Sequence, residues 1–297
     1  MPEPITSAAL KAKLTVMIPY SPEQLAYLVQ FIHPARTLGA LPGVNDASVA
    51  DDIIAAAFGL DVAEYRRIKR GFDDNARSAA QTLLQEADFA ARVARLPFAP
   101  GAKVVALGDS ITDDDQSWAE ILRHLLALAR PDDGITLVNA GVSGHTTSDV
   151  LARFLGVVNE QPDWIICMIG TNDARRHGLH PAKTMLSPAE TERNLATLRQ
   201  YALTQTSARW VWMTPATVIE EKIAADWWLG QGNQIMFTNA DLRAVADIVR
   251  RRPEPVVDLQ AVFGTPANPN LLLSDGLHPS LAGQIAIVTA LVRHLSP

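Results

Sequence analysis

Apolar positions in the first third of the chain recur at helical spacing. Leu25, Leu28, Val29 and Ile32 share one face of a helix. Ser21-Pro22-Glu23-Gln24 opens it, with a cap serine, a proline in the first turn and a glutamine three residues after the cap, and Pro34 stops it. A second helix is expected from Asp46 to Phe58, ending at Gly59, with Val49, Ile53, Ile54 and Phe58 in register. A third follows Asp61 as far as Gly71, and a fourth covers Asn75 to about Leu96. No strand-like alternation interrupts them, so residues 1–99 are expected to be all-helical. The proline- and glycine-bearing stretch 96–101 reads as a joint.

From Lys103 the period changes. The apolar runs Val104–Leu107, Thr136–Asn139, Trp164–Ile169, Trp210–Met213 and Val256–Leu259 read as strands. Helix-period stretches separate them at Ser117–Ala129, Ser148–Val157, Pro188–Thr204 and Thr238–Arg250, and Leu281–Leu295 closes the chain. Ser187-Pro188-Ala189-Glu190 has the form of a capping box. This alternation predicts an α/β domain over residues 103–297, with a mostly parallel five-stranded sheet covered on both faces. Ligands of such sheets bind at the carboxyl ends of the strands.

Composition narrows the classes. At 297 residues, 48% hydrophobic and 20% charged, the chain can bury a substantial core. A net charge of −6 argues against general affinity for nucleic acid or anionic lipid. The single cysteine, Cys167, excludes an internal disulfide, fits a reducing compartment and reads as a buried hydrophobe within a strand. Pro2, Pro4, Lys11, Lys13 and Pro19 interrupt the N-terminus, so no signal peptide is read there. No apolar run approaches the roughly 20 residues of a membrane span. The expectation is a cytoplasmic protein with no membrane or nucleic-acid partner.

The residues of chemical interest follow directly after strands. Gly108-Asp109-Ser110-Ile111-Thr112 places a hydroxyl at the end of the first strand. The string serves equally as a helix cap, but the next helix is expected only near Ser117, which leaves Ser110 in an exposed loop. Asp113-Asp114-Asp115 reads as solvated charge. After the second strand, the small residues of 139–147 leave the Gly144 N–H unhindered as a donor to a developing oxyanion. The alternative there is a turn before a helix capped by Thr147 or Ser148. Gly170-Thr171-Asn172-Asp173 offers the Asn172 amide to the same oxyanion, or is again a turn. In Asp275-Gly276-Leu277-His278, a tight turn brings Asp275 against Nδ1 of His278 and leaves Nε2 for Ser110. His145, beside Gly144, is a candidate pocket residue, as is Asp109; His33, His124, His177, His180 and His294 read as ordinary surface histidines.

Taken in order, these strings resemble the SGNH, or GDSL, hydrolase family. The likeness rests on Gly108–Ser110, Gly144, Gly170–Asp173 and Asp275–Pro279, and covers about residues 103–297. It implies a three-layer α/β/α sandwich and a Ser110–His278–Asp275 triad. It also implies an oxyanion hole from the Ser110 N–H, the Gly144 N–H and the Asn172 side chain, with no metal or organic cofactor. The expected activity is serine-dependent hydrolysis of carboxylic esters through an acyl-enzyme, on short-chain (acetyl) esters of small molecules or carbohydrate. Acyl thioesterases and acyltransferases belong to the same family and are the alternatives.

Two remoter readings come from other classes. Gly108-Asp109 and Asn172-Asp173 loosely match hard-cation ligand strings of metal-dependent phosphoesterases. Asp46–Phe58 followed by Asp61–Gly71, with Arg66, Arg67, Lys69 and Arg70, has the outline of a DNA-binding helix-turn-helix. Residues 1–99 carry ten Lys/Arg against eleven Asp/Glu, so a packing or homo-oligomerising role fits them better. Finally, Pro215–Phe237 is long for a strand-to-helix connection. Its Trp227 and Trp228 are expected either to line the substrate pocket or to pack onto the helical region.

Overall fold

A computed structural model describes residues 20–37, 49–178 and 182–296. The interrupted segment 1–19, the start of the helix expected from Asp46, and His180 lie outside the described residues. The chain divides into two packed units, Met1–Asp74 and Asn75–Pro297.

In the first unit the Pro22–Phe31 helix carries the complete expected cap. Ser21 Oγ accepts the Gln24 N–H at 3.2 Å, and Gln24 Oε1 accepts the Ser21 N–H at 2.8 Å. Val29, Ile54, Ala55 and Tyr65 form its core, with Phe58 stacked on Tyr65. The helix expected to stop at Gly71 instead runs from Val62 to Leu84. An exposed glycine costs a helix only about 1 kcal/mol, and the apolar face resumes beyond it at Ala76, Ala80 and Leu83. The expected fourth helix is correspondingly broken, its second piece being Ala87–Ala94. The second helix of the helix-turn-helix outline is thus only the first part of a longer helix, and two of its arginines are occupied, Arg66 by Asp51 and Arg67 by Glu64.

The second unit is built on the five expected strands, β1 (Lys103–Gly108), β2 (Thr136–Gly141), β3 (Trp164–Met168), β5 (Arg209–Met213) and β7 (Val256–Val257). They pair in parallel in the order β2-β1-β3-β5-β7. Two short strands, β4 (Arg176–His177) and β6 (Ile235–Met236), make a separate antiparallel ribbon. Alternate strand residues face opposite sides. Val104, Ala106, Ile166, Met168, Val211 and Met213 pack with Trp118, Ile121, Leu125, Ile287 and Leu291 from the helices Trp118–Ala129 and Leu281–Leu295. Val105, Leu107, Ile165, Cys167, Trp210 and Trp212 pack with Val150, Phe154, Leu195, Leu198 and Ile248 from Thr147–Asn159, Pro188–Gln205 and Asn239–Arg250. This is the expected α/β/α sandwich. The Ser187 cap is only half a box: its Oγ accepts the Glu190 N–H, while the Glu190 carboxylate turns to Arg193.

The division of the chain is not where the prolines suggested. Phe89, Val93, Leu96 and Phe98 are buried in the sheet's own core, and Phe98 meets Trp164 edge-on at 5.3 Å. Arg130 donates to the carbonyls of Leu96 and Phe98, at 3.0 and 2.6 Å, and Arg92 to that of Ser296 at 2.6 Å. Pro97, Pro100 and Gly101 bend the chain locally; whether the next side chain is buried is decided elsewhere. Among the described residues, no helix is long and apolar enough to cross a membrane.

A fragment beginning at residue 75 should therefore fold cooperatively, whereas one beginning at residue 103 should not. The shorter fragment loses four large buried side chains worth about 1.5–3 kcal/mol each. Urea melts of the two purified fragments check this; equal stability would refute it.

Candidate active site

The position of Ser110 is set by a close approach of backbones. Ser110 is the first residue of a short helix, Ser110–Asp113, directly after β1, and is thus a helix-start residue rather than part of an open loop. Asp109 caps that helix, its Oδ1 accepting the Ile111 N–H at 3.1 Å. The helix lies so close to the end of β2 that a Cβ on Gly141 would collide with the Thr112 and Asp113 backbone, so only glycine fits there. Gln284, fully buried, fastens the same helix to the last one: its Oε1 accepts the Trp118 N–H at 2.9 Å, and its Nε2 donates to Ile111 O and Asp114 Oδ2, both at 3.1 Å.

Two of the three aspartates expected to be solvated are not. Asp113 and Asp114 are 1% and 0% exposed. Asp113 Oδ2 accepts both the N–H and the hydroxyl of Ser143 at 2.8 Å, which ties the Ser110–Asp113 helix to the loop bearing Gly144. Asp114 Oδ1 accepts the Gln116 N–H. Their burial depends on donors 2 to 170 residues away, which no local pattern reveals.

Ser110 Oγ lies 2.9 Å from His278 Nε2, and His278 Nδ1 lies 2.7 Å from Asp275 Oδ2. The other carboxylate oxygen of Asp275 accepts the N–H groups of Leu277 and His278, at 2.8 and 2.9 Å, so one side chain shapes the turn and orients the ring. With Nδ1–H given to the carboxylate, Nε2 is left to accept the Ser110 proton. Burial alone would push the Asp275 carboxyl up. His278's charge and the hydrogen bonds at Asp275 outweigh it and hold that carboxyl below its usual range. Burial likewise opposes the charge on His278, but Asp275 prevails and raises the imidazole.

Three donors face the same end of the sheet. Gly144 has φ +79°, a left-handed conformation suited to glycine. Neither its N–H nor that of Ser110 donates to an acceptor among the described residues. Asn172 is buried, and one hydrogen of its Nδ2 goes to the His145 carbonyl at 3.1 Å, leaving the second for another acceptor. The neighbouring Asp173, buried and pushed up by burial, accepts from Thr147 N at 2.9 Å and from the hydroxyls of Thr147 and Thr191. It braces this loop against two helices. The cap of the Thr147–Asn159 helix is Thr146, in a full box with Asp149, rather than Thr147 or Ser148.

The expected pocket residues are distributed unevenly. Asp109 is 1% exposed and acts as a cap; burial pushes its carboxyl up to about 6. His145 is half-buried beside Gly144, its Nδ1 accepting from Arg153 Nε at 3.1 Å, and burial with the Arg153 charge lowers its basicity. His124 is buried rather than at the surface. Pro215–Phe237 is not a plain loop: it holds the Glu220–Ala225 helix and β6. Trp227 and Trp228 are half-buried and lie 5.7 Å apart. Trp228 packs on a cluster containing Leu277 and Ala174, neighbours of His278 and of Asp173.

A family model described as GDSL-like lipase/acylhydrolase matches residues 106–286. An acetylxylan esterase of Geobacillus stearothermophilus is 30% identical over 217 residues, covering 66% of this chain and 94% of that protein. Among solved structures, a catalytic serine-to-alanine mutant of an acetylxylan esterase from the same organism superposes with a TM-score of 0.51 at 26% identity, covering 67% of this chain and 95% of the other. An alpha/beta hydrolase from the metagenome of Lake Arreo, Spain, gives 0.53 at 27% identity, covering 67% and 97%.

The raised imidazole has a thermodynamic sign. The folded chain binds the His278 proton more tightly than the unfolded one, so that stabilisation is complete below the ordinary histidine value of 6.5 and lost as pH rises through the folded one. Asp275 works oppositely: its contribution is present above the ordinary carboxylate range and lost as pH falls through its lowered value. The NMR titration midpoint of His278 should therefore lie above 6.5, and Asp275→Asn should lower it. A midpoint unchanged by that substitution would contradict the assignment.

Proposed function

This chain belongs to the GDSL-like lipase/acylhydrolase family and is a hydrolase of ester bonds, and from that premise we propose that it removes short acyl groups, acetyl foremost, from carbohydrate or other small hydroxyl compounds through an acyl-enzyme on Ser110. The observation that carries the mechanism is the 2.9 Å contact between Ser110 Oγ and an imidazole whose other nitrogen is committed to a buried carboxylate.

As Oγ attacks the ester carbonyl, His278 Nε2 takes its proton. Asp275 keeps the ring in the required tautomer and stabilises the imidazolium. The carbonyl oxygen, now negative, is received by the N–H groups of Ser110 and Gly144 and by Asn172 Nδ2. One such donor is typically worth about 3–4 kcal/mol in the transition state. His278 returns the proton to the departing alkoxide, which leaves Ser110 acylated. A water deprotonated by the same imidazole attacks the acyl carbon and releases the acid.

The donors are preorganised, because backbone and buried amide groups need no reorganisation when charge develops. Preference for a short acyl group is supported by the acetylxylan esterase relative, and the half-buried Trp227 and Trp228 are candidates for the wall that limits chain length.

Ser110→Ala should lower turnover of p-nitrophenyl acetate by about four to six orders of magnitude while leaving the melting temperature unchanged. Full activity in that variant would end the proposal. Trp227→Ala and Trp228→Ala, assayed on acetyl and octanoyl esters, should between them change the acetyl preference about tenfold or more, the worth of one or two methylenes in an apolar pocket. An unaltered ratio in both removes the tryptophans from the site.

A further inference from the structure

Arg175 stands outside every role assigned above, although it is adjacent to two of the residues that carry them. Its backbone is held from both sides: its N–H donates to Asn172 O at 3.2 Å, and its carbonyl accepts from Met185 N–H at 2.8 Å. The next residue, Arg176, is anchored in the ribbon opposite Met236 and makes a two-point ion pair with Asp241, at 2.7 and 2.8 Å. The chain at Arg175 therefore has little freedom.

Its guanidinium contacts one non-serine donor of the oxyanion site and lies near the other. Arg175 Nη1 lies 3.5 Å from Asn172 Oδ1, and 4.0 Å from the position that a Cβ on Gly144 would take. Among the described residues no carboxylate forms an ion pair with it, and its Nε is buried without a hydrogen-bond partner. Asp149 lies within electrostatic reach, but that carboxylate is occupied by the N–H and hydroxyl of Thr146. Burial accordingly pulls Arg175 down from the usual arginine range. A partly buried cation without a counter-ion is costly, and such a cost is tolerated where negative charge develops during a reaction.

We propose that Arg175 is a positioning residue of the oxyanion hole: it holds the Asn172 amide by Oδ1 so that Nδ2 faces the substrate carbonyl, and backs Gly144 with a positive charge that gains its counter-ion only in the tetrahedral intermediate. The proposal rests on the acyl-enzyme reading. Because Arg175 acts through the two donors, its loss falls on the transition state rather than on ground-state binding.

The test uses the full chain, with Arg175→Gln and Arg175→Lys assayed on p-nitrophenyl acetate and labelled with a fluorophosphonate at Ser110. The glutamine variant should lose about 10–100-fold in kcat with KM within about threefold of the parent. The lysine variant, which keeps the charge but not the planar two-donor head, should lose only about 3–10-fold. That recovery by charge would not be expected of a residue serving only to hold the fold. If the glutamine variant does not fold, the kcat of the lysine variant decides alone. An unchanged kcat overturns the proposal, as does a rise in KM confined to acetyl esters that carry a carboxylate, which would make Arg175 a substrate-anion contact instead. Labelling separates the two failures: a parent enzyme that does not label at Ser110 overturns the acyl-enzyme reading and this proposal with it, whereas a labelled parent with an indifferent Arg175 overturns this proposal alone.

Discussion

Loops leaving the carboxyl end of the sheet must be held still where water is scarce, and the molecule meets that constraint with buried carboxylates bonded to backbone N–H groups. Asp109 takes the N–H of Ile111, Asp113 that of Ser143, Asp114 that of Gln116, Asp173 that of Thr147, and Asp275 those of Leu277 and His278. Each is at most 1% exposed. A buried carboxylate without donors would cost several kcal/mol, whereas one that accepts from peptide N–H groups makes charge-assisted bonds of about twice the ordinary strength. The same groups that are expensive to bury thereby fix the geometry. Two of these bonds also join loops from different strands, Asp113 to the Gly144 loop and Asp173 to the Thr147 helix start.

The electrostatics of the site follow from how well each carboxylate is compensated. Asp275, facing an imidazole and two N–H groups, stays ionised below its usual range. Asp109, equally buried but with fewer donors, is pushed up to about 6. The two flank one imidazole, and the charges of both favour its protonated form. Arg175 is the opposite case, a cation left largely without a partner next to groups that can meet an anion. Environment separates groups that sequence lists as equivalent.

Packing places these groups at all. The Ser110–Asp113 helix can approach β2 only because residue 141 has no side chain, and Gln284 from the last helix completes its hydrogen bonds from below. Ser110 thereby stays reachable while almost everything around it is buried. Residues 75–98 contribute to that same core, so the sheet's unit is larger than the span over which the family resemblance runs.

The alternation of apolar runs after Lys103 was enough to define five strands, their parallel pairing and the strand ends that Ser110, Gly144 and Asn172 follow, because those depend on local period and on the chirality of strand–helix–strand connections. Ser110, Asp275 and His278 were legible for a related reason: the spacing of Asp275 and His278 is itself a turn, and Ser110 follows its strand without an intervening element. What only the tertiary structure decided is which polar groups are buried and by what they are compensated. The aspartates at 113 and 114, the brace at Asp173, the course of the helix through Gly71 and the setting of Arg175 all depend on partners distant in the chain. A local pattern records a residue's period, but its solvation is set by whatever the fold brings against it.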